Sequence, residues 1–406
     1  MYIRIDASTS VISEPQKGRV FTNNFIFENK TKVYFGRGGV KEHLGGLLRN
    51  YGGTVMLAYG GGSVKRNGVY DEIVGILNGA GKRIVEFGGI MPNPTYRKVQ
   101  EGAKLARENH VDLILAVGGG SVSDCCKVIS AQANVDEDLW EMEYAKHTFP
   151  TKFIPLGTIV TVFGTGSEMN CGAVITHEEK KIKGALWGAQ ADFAFLDPSY
   201  TLSVPMKQVI SGAFDTLSHA METYFGKPDE NNLSDDLGEA VMRSTIRNIR
   251  VLLTDPQNYD ARSELAWASA LAENGILKIG KITDFQCHQI EHQLGAYTDC
   301  NHGAGLAVLH PALYRHIYKA NPARFARFAQ NVWGIAPKGS EEETALAGVN
   351  ALADFIKEIG LPTSFTELGI PADTDLRAIA DTANLTAGCC KKLTHDEIYD
   401  ILRECI

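Results

Sequence analysis

Strand-like apolar runs alternate with amphipathic stretches over the first half of the chain. Residues 54–59 and 83–87 are predicted as strands, and residues 69–78 between them carry apolar side chains at the helical spacing of about 3.6 residues. The alternation continues with a helix predicted over residues 95–109 and a buried strand over residues 112–117. This order of strands and helices is typical of a βαβαβ unit with a parallel sheet.

The pattern changes near residues 195–198. One more strand is predicted before that point, at residues 152–155, ahead of a glycine-rich turn at residues 164–168. Beyond it, long stretches of helical period predict helices over residues 207–224, 235–252, 261–279, 344–359 and 395–404. We therefore predict two domains, an α/β domain over residues 1–197 and an all-α domain over residues 198–406.

The composition is that of an ordinary globular protein of a size that usually needs more than one core, with 406 residues, 44% of them hydrophobic. Eight cysteines in such a chain are expected to be thiols in a reducing compartment. The start has no apolar leader, and no run reaches the about 18 apolar residues of a membrane span. The net charge of −8 argues against a nucleic-acid or anionic-membrane surface. We expect a cytoplasmic enzyme.

Two turns share the sequence Gly-Gly-Gly-Ser, at residues 60–63 and 118–121, each directly after a predicted strand. Glycines there let backbone N–H groups approach a phosphate, and the following helix points its positive end at the same place. Two such turns at the carboxyl ends of one sheet favour a phosphate site over two tight corners. The spacing is not that of the common dinucleotide fingerprint.

Ser63, Lys65 and Arg66 follow the first turn closely. A hydroxyl and basic groups at this point could hold a 2′-phosphate, which favours NADPH as the cofactor. A plain surface pair of Lys65 and Arg66 explains the spacing nearly as well. Glu86 falls near the position of a ribose-binding acid, but an acid at a strand end is usually only solvated.

Histidines and one aspartate form the second set of candidate residues. Asp215 and His219 are four residues apart in a predicted helix, so both side chains project from one face. His288, His292 and His302 follow within fifteen residues of one another. One carboxylate with several imidazoles suits Zn(II) or Fe(II). Since His288 and His292 are also four residues apart, spacing leaves open which of them binds the metal.

Together these motifs resemble the iron-containing (group III) alcohol dehydrogenase family, in its branch of butanol dehydrogenases and NADPH-dependent aldehyde reductases. The resemblance extends from residue 31 to residue 305 and is carried by residues 60–65, 118–127, 164–168, 215–219 and 288–302. It implies a Rossmann-like parallel sheet followed by an all-α domain, the dehydroquinate synthase-like fold. It also implies a homodimer.

The resemblance assigns roles to individual residues. It implies that Asp215, His219, His288 and His302 bind the metal, while His292 faces the metal and the nicotinamide as a proton relay. Asp124 is counted with His292 as catalytic. The implied cofactor contacts are Gly61, Gly62, Ser63, Gly119, Gly120, Ser121, Asp124, Thr161, Thr165, Asn170 and Lys183. Residues 159–163 depart from the Pro-Thr-Thr pattern that is common in the family.

The predicted reaction is hydride transfer between NAD(P)(H) and a short- to medium-chain primary alcohol or aldehyde, such as butanol or butanal. NADP(H) is favoured over NAD(H), with one divalent metal, Fe(II) or Zn(II). The first alternative is a glycerol-dehydrogenase-like polyol enzyme, against which the pair of Asp215 and His219 counts. A dehydroquinate-synthase-like lyase is more distant, because residues 206–222 offer only Lys207 as a basic group. A non-catalytic binding module would not need both sets of residues.

Overall fold

The computed structural model describes residues 24–406 and contains a parallel sheet built from short strands. In chain order the strands are β1 (Lys32–Phe35), β2 (Thr54–Tyr59), β3 (Arg83–Phe87), β4 (Leu113–Gly118), β5 (Leu156–Val160), β6 (Gly172–His177), β7 (Ile182–Trp187) and β8 (Phe193–Leu196). Six of these strands form a parallel sheet in the order β1-β8-β5-β4-β2-β3, and β6 pairs antiparallel with β7. The predicted parallel sheet is confirmed.

The helices of the described residues lie mostly in the second half of the chain. They are α1 (Gly39–Leu47), α2 (Ser63–Arg66), α3 (Val69–Gly79), α4 (Tyr96–Glu108), α5 (Gly120–Gln132), α6 (Leu139–Tyr144), α7 (Met206–Tyr224), α8 (Leu233–Thr254), α9 (Tyr259–Glu273), α10 (Gln286–Thr298), α11 (His302–Ile317), α12 (Pro322–Asn331), α13 (Glu341–Glu358), α14 (Phe365–Leu368), α15 (Leu376–Thr382) and α16 (His395–Glu404). The prediction of a largely helical second half is confirmed.

Strand β2 shows why its residues form a central strand. Met56 and Ala58 pack into the core on one face of the sheet, and Val55 and Leu57 pack into the core on the other. A strand covered on both faces reads as a continuous apolar run, as this one does in the sequence. The sheet therefore lies between two layers of helices.

The strand order places a topological switch between β2 and β4. The chain passes from β2 outward to β3, then returns to β4 and passes on to β5 at the other side. Tyr59 at the end of β2 is level with Val117 near the end of β4. The crevice between two such strand ends is where open α/β sheets bind ligands.

Two predicted elements differ from the structure. The strand predicted at residues 152–155 is wrong, because the paired strand is β5, which is buried between β4 and β8 while Lys152 and Pro155 are exposed. The helix predicted over residues 261–279 ends at Glu273, since Gly275 has φ 93° and a 3₁₀ turn follows at Ile276–Lys278. The hairpin of β6 and β7 was not predicted, because its strands are short and the charged residues 178–181 interrupt their apolar positions.

The largest apolar core of the described residues lies among the helices of the second half, separate from the two cores that flank the sheet. The division into domains at residue 197 nevertheless stays a prediction. The start of the chain, on which the absence of a leader was predicted, lies outside the described residues. Among residues 24–406, no helix is both long and apolar enough to cross a membrane.

Candidate active site

The two Gly-Gly-Gly-Ser turns lie side by side at the carboxyl ends of β2 and β4. The first leads into α2 and the second into α5, and no side chain caps the N-terminus of α5. Free backbone N–H groups at a helix N-terminus attract phosphate oxygens. The structure thus brings together six predicted cofactor residues, namely Gly61, Gly62, Ser63, Gly119, Gly120 and Ser121.

The second turn is packed closely against the third glycine-rich turn, residues 164–168. A Cβ atom at Gly120 would lie 2.3 Å from Thr165 Oγ1, so only glycine fits at that position. Thr161 is buried beside it, and its backbone N–H donates to the carbonyl of Gly118 at 2.9 Å. The predicted contacts Thr161 and Thr165 therefore border the edge at which phosphates are predicted to bind.

Helices of the second half hold the third turn in place. Ser269 Oγ on α9 accepts hydrogen bonds from the backbone N–H groups of Gly164 at 2.9 Å and Gly166 at 3.1 Å. Thr216 Oγ1 on α7 donates to the carbonyl of Gly164 at 3.1 Å. Since Thr216 directly follows Asp215, helix α7 connects the predicted metal site to the third glycine-rich turn.

Glu86, at the end of β3, lies beside the first turn. Its carboxylate accepts hydrogen bonds from the Tyr59 hydroxyl at 2.7 Å, from the Tyr70 hydroxyl, and from Lys65 Nζ at 3.3 Å. The hydrogen bonds from Tyr70 and Tyr59 lower the pKa of Glu86, and the contacts of Lys65 itself with Tyr59 and Glu86 raise the pKa of Lys65. An ionised, fully partnered carboxylate therefore stands next to the predicted 2′-phosphate position.

Two other predicted residues are already engaged within the protein. Asp124 accepts hydrogen bonds at one oxygen from Ser167 Oγ and at the other from the backbone N–H of Val174, at 2.8 Å. Burial raises its pKa. Asn170 Oδ1 accepts from the buried ammonium group of Lys127 at 2.8 Å. These contacts hold the segment below the third turn, and a direct role of Asp124 in catalysis stays a prediction.

Three predicted metal ligands converge in the second half. Asp215 on α7, His288 on α10 and His302 at the start of α11 each offer a ligand atom within 4.8 Å of the others. Asp215 Oδ1 lies 3.5 Å from Nε2 of His288 and 3.5 Å from Nε2 of His302. His302 is 26% exposed, so the cluster opens to solvent on this side.

His219, the fourth predicted ligand, borders this cluster. Its Nε2 is 3.7 Å from the same Asp215 oxygen, and its ring stacks on His288 with centroids 4.6 Å apart. Burial lowers the pKa of His219, and a lower pKa favours the neutral imidazole, the form that binds metals. Its position is compatible with the predicted set of four.

Two carboxylates contact the Nδ1 atoms of His288 and His302, on the ring edge away from Asp215. Glu222 contacts His288 Nδ1 and also accepts from the backbone N–H groups of Cys287 at 2.6 Å and His288 at 3.1 Å. Glu291 contacts His302 Nδ1 in the same way. A carboxylate on one ring nitrogen fixes the other nitrogen towards the metal and increases its basicity.

The charged groups in the cluster shift one another's pKa values. Burial raises the pKa of Asp215, but His219 and His302 outweigh this and hold that pKa well below its usual range. Burial lowers the pKa of His288, but Glu222 and Asp215 together raise it to about 10. The site thus concentrates negative charge around imidazoles, which is the environment that a cation requires.

His292 and Lys183 lie on the far side of Glu291. Lys183 was predicted to contact the cofactor. In the structure its Nζ atom lies 3.3 Å from Oε2 of Glu291, the carboxylate that contacts His302. His292 forms a second close group with Glu291 and His302, and its Nδ1 is buried without a hydrogen-bond partner. Burial and the charge of Lys183 lower the pKa of His292 well below 6.5. A histidine relays protons best when its pKa is near neutrality, which that of His292 is not, and its role as a relay stays a prediction.

The residues present fit a divalent metal. Asp215 Oδ1 and His288 Nε2 are buried and point at each other without a hydrogen-bond partner. Unpartnered buried polar atoms are costly unless a ligand satisfies them. One carboxylate and three imidazoles, two of which (His288 and His302) are each oriented by an outer carboxylate, form a typical donor set for Fe(II) or Zn(II).

Sequence reasoning missed Glu222 and Glu291, although a signal was present. Glu222 follows Asp215 by seven residues and His219 by three, which places it on the same helical face. Glu291 follows His288 by three residues and lies on the face of α10 that carries His288 and His292. The spacing that identified the ligands could have identified the carboxylates behind them.

Comparison with known proteins places the chain among alcohol dehydrogenases. The family described as "Iron-containing alcohol dehydrogenase" matches residues 30–198, and the one described as "Fe-containing alcohol dehydrogenase family, C-terminal" matches residues 209–406. A probable NADH-dependent butanol dehydrogenase 1 of Bacillus subtilis is 40% identical over 94% of this chain and 99% of its own length. The NADPH-dependent aldehyde reductase YqhD of Escherichia coli is 36% identical over 86% of this chain and 90% of its own length.

Solved structures agree with these matches. A crystal structure of NADH-dependent butanol dehydrogenase A from Thermotoga maritima superimposes with a TM-score of 0.89 and is 35% identical, covering 95% of this chain and 99% of that one. The structure of E. coli YqhD gives a TM-score of 0.88 at 33% identity, covering 96% of this chain and 100% of that one. Both the sheet and the helical half are therefore shared with these enzymes.

Proposed function

Because the chain belongs to the iron-containing alcohol dehydrogenase family, we propose that it catalyses hydride transfer between NAD(P)(H) and a primary alcohol or aldehyde of short to medium length, such as butanol or butanal. The observation that carries the proposal is the group of Asp215, His288 and His302, whose ligand atoms lie within 4.8 Å of one another. This group is tied through α7 to the turn that borders the phosphate-binding edge.

In the proposed site, Asp215, His219, His288 and His302 hold a divalent metal. A metal held there would supply Lewis-acid polarisation of the substrate oxygen, and a bound nicotinamide would supply or accept the hydride. Glu222 and Glu291 keep the rings of His288 and His302 in the ligating orientation. The open edges of the glycine turns orient the cofactor phosphates.

His292 remains our proposed proton relay, in a modified form. Its imidazole is neutral because of burial and of Lys183, so its free Nδ1 can accept a proton. Its strongly lowered pKa makes it a transient carrier that passes the proton on to water or to a ribose hydroxyl. The neighbouring Lys183 keeps the ring neutral between turnovers.

For the cofactor we propose a preference for NADP(H). Lys65 is 45% exposed next to the first turn, and its ammonium group, 3.3 Å from Glu86, can also contact a phosphate. We expect Lys65→Met to lower the ratio of kcat/KM for NADPH to that for NADH by about tenfold. A wild-type protein that prefers NADH by about tenfold or more would contradict the proposal.

The metal and substrate are tested together. Purified protein is expected to contain close to one Fe or Zn per chain, measured by mass spectrometry of the metals, and to reduce butanal with either nicotinamide. If glycerol is oxidised in preference to butanol, the polyol alternative is correct. A homodimer is also proposed, and light scattering of the purified protein gives its mass directly.

A further inference from the structure

The corner between α10 and α11 leads directly into His302, one of the predicted metal ligands. Helix α10 ends at Thr298, Asp299 follows with φ 50°, and α11 begins at His302 itself. The His302 side chain is 26% exposed, whereas those of Asp215 and His288 are 4% and 5% exposed. A ligand that is partly exposed at the first residue of a helix is less fixed by packing than the other two, so its position depends on what holds the corner.

Asn93 reaches this corner from the half of the chain that contains the sheet. It lies in the loop between β3 and α4, and Asp299 is 206 residues further along the sequence. Nδ2 of Asn93 donates to Oδ1 of Asp299 at 2.8 Å and to the carbonyl oxygen of Cys300 at 3.3 Å. One amide group can supply both hydrogen bonds, because it carries two N–H donors. Asn93 thus holds two consecutive residues of the corner, just before α11 begins.

A second contact holds the same corner from the helical half. Asn301 is the N-cap of α11, and its Oδ1 accepts hydrogen bonds from the backbone N–H of Ala304 at 3.0 Å and from the hydroxyl of Ser211 on α7. Since Ser211 and Asp215 are four residues apart on one face of α7, this contact places the start of α11 relative to Asp215. Asn93 adds a restraint that comes from a different part of the fold.

The loop that carries Asn93 is itself attached to the hairpin of β6 and β7. The backbone N–H of Thr176 on β6 donates to the carbonyl of Pro94 at 2.9 Å, and Thr95 forms a β-bridge with Thr176. The Thr95 side chain also caps α4 by accepting from the backbone N–H of Lys98. Asn93 has φ 51°, a conformation that asparagine adopts more readily than most residues. A donor on an anchored loop can restrain its partner instead of following it.

We propose that Asn93 is a positioning residue for the metal site: its hydrogen bonds to the corner keep His302 where it can share a metal with Asp215. The inference rests on the proposed function, because it concerns the metal site of that reaction. Glu291 contacts the ring of His302 and so sets the rotation of that ring, whereas Asn93 sets the position of the backbone that carries it. The two supports therefore act on the same ligand in different ways.

The first test replaces Asn93 by glycine. Asn93→Gly removes both hydrogen bonds, and glycine adopts φ 51° without strain, so the loop can keep its path. The probe is Zn(II), added to protein that has been freed of metal, and its Kd is measured by competition with a coloured chelator. We expect this Kd to rise by about tenfold, the lower end of the range for residues that orient a metal ligand.

The second test exchanges the donor and the acceptor. In Asn93→Asp/Asp299→Asn the carboxylate lies on the loop and the amide on the corner, so the net charge is that of the wild type and a hydrogen bond between the two side chains is restored. We expect the Kd for Zn(II) to return to within about threefold of the wild-type value. Asp299→Asn alone keeps an acceptor oxygen opposite Asn93 and should also stay within about threefold.

The matched control is Asn321→Gly. It removes a hydrogen bond of the same kind away from the site, in which Asn321 Nδ2 donates to Asp229 Oδ1 at 2.9 Å, and it is expected to keep the wild-type Kd for Zn(II). An unchanged Kd in Asn93→Gly would overturn the inference. So would an exchanged pair that binds Zn(II) no better than Asn93→Gly does, because Asn93 would then act through something other than Asp299.

Failure of this inference and failure of the proposed function are distinguishable, because the chelator assay needs no turnover. A wild type that binds Zn(II) but neither oxidises butanol nor reduces butanal refutes the proposed function, and the Kd values still decide the role of Asn93. Normal turnover with equal Kd values in the wild type and Asn93→Gly refutes the role of Asn93 alone. A wild type that binds no Zn(II) overturns both.

Discussion

On the cofactor side of the site, the atoms offered to a ligand are backbone N–H groups of glycine-rich turns, whereas on the metal side they are side-chain atoms from three helices. One turn directly follows β2 and the other directly follows β4, and each turn is a single continuous stretch of sequence. The proposed metal site joins Asp215 of α7 to His288 of α10 and His302 of α11. One side depends on local backbone shape, and the other on how distant helices pack.

The difference extends to the supporting contacts. Gly120 and Thr165 need only a close approach of two turns. His288 and His302 each depend on a buried carboxylate, and the carboxylate behind His302 depends in turn on Lys183 from β7. A substitution among the proposed metal ligands is therefore expected to disturb more residues than a substitution in the glycine-rich turns.

The largest effect is expected from Asp215→Asn. This residue lies against His219, His288 and His302 at once, and its replacement removes the only carboxylate among the proposed ligands. Bound metal and kcat/KM should both fall, the latter by about a thousandfold or more. Asp260→Asn, an exposed change on α9, is the matched control. A variant that keeps its metal and turnover would remove Asp215 from the site.

A smaller loss is expected from Glu291→Gln. The amide cannot hold both His302 and Lys183 as the carboxylate does, so the affinity for metal should fall by about ten- to a hundredfold. Competition with a coloured chelator measures this affinity. Glu143→Gln changes a buried glutamate outside the site and should leave it unaltered. Equal affinities of Glu291→Gln and wild type would show that the ring of His302 needs no carboxylate.

On the cofactor side, Gly120→Ala should weaken cofactor binding without changing the proposed metal site. The added methyl group would meet Thr165 Oγ1 at 2.3 Å and displace the edge on which phosphates are proposed to bind. We expect the Kd for the nicotinamide cofactor to rise by about tenfold while the metal content stays unchanged. Gly75→Ala in α3, where a Cβ meets no atom within 4 Å, is the control. Loss of metal in Gly120→Ala would mean that the two sides are not independent.

The smallest effect on catalysis is expected at Glu143, which belongs to neither side. Burial raises its pKa to about 8, so the folded chain holds a proton there that the unfolded chain releases near its ordinary pKa. Stability from this group is complete at low pH and is lost as pH rises, by about 2–3 kcal/mol between about pH 5 and 7. Glu143→Gln should flatten this decline in the free energy of unfolding, measured in urea, and leave kcat/KM unchanged. An unaltered decline would show that Glu143 has an ordinary pKa.

Much of the fold could be predicted because its signals are local. The run at residues 54–59 predicted β2 at its observed bounds, and the helical period predicted α7 to within one residue at its start. β5 was misplaced because residues 152–155 and 156–160 are both partly apolar, and only pairing with β4 and β8 distinguishes them. The hairpin of β6 and β7 was missed because its antiparallel pairing, and no marked apolar run, defines it.

By itself the sequence determined the residue types, the glycine turns after two strands, and the helical spacing that puts Asp215 and His219 on one face. Only the tertiary structure decided that Lys183 meets Glu291, that Asp124 is held by Ser167, and that Glu222 contacts His288. The physical reason is the distance along the sequence between the residues that interact. Strand and helix patterns arise from neighbours along the chain, whereas the charge, burial and hydrogen bonding of a side chain depend on residues far away in sequence.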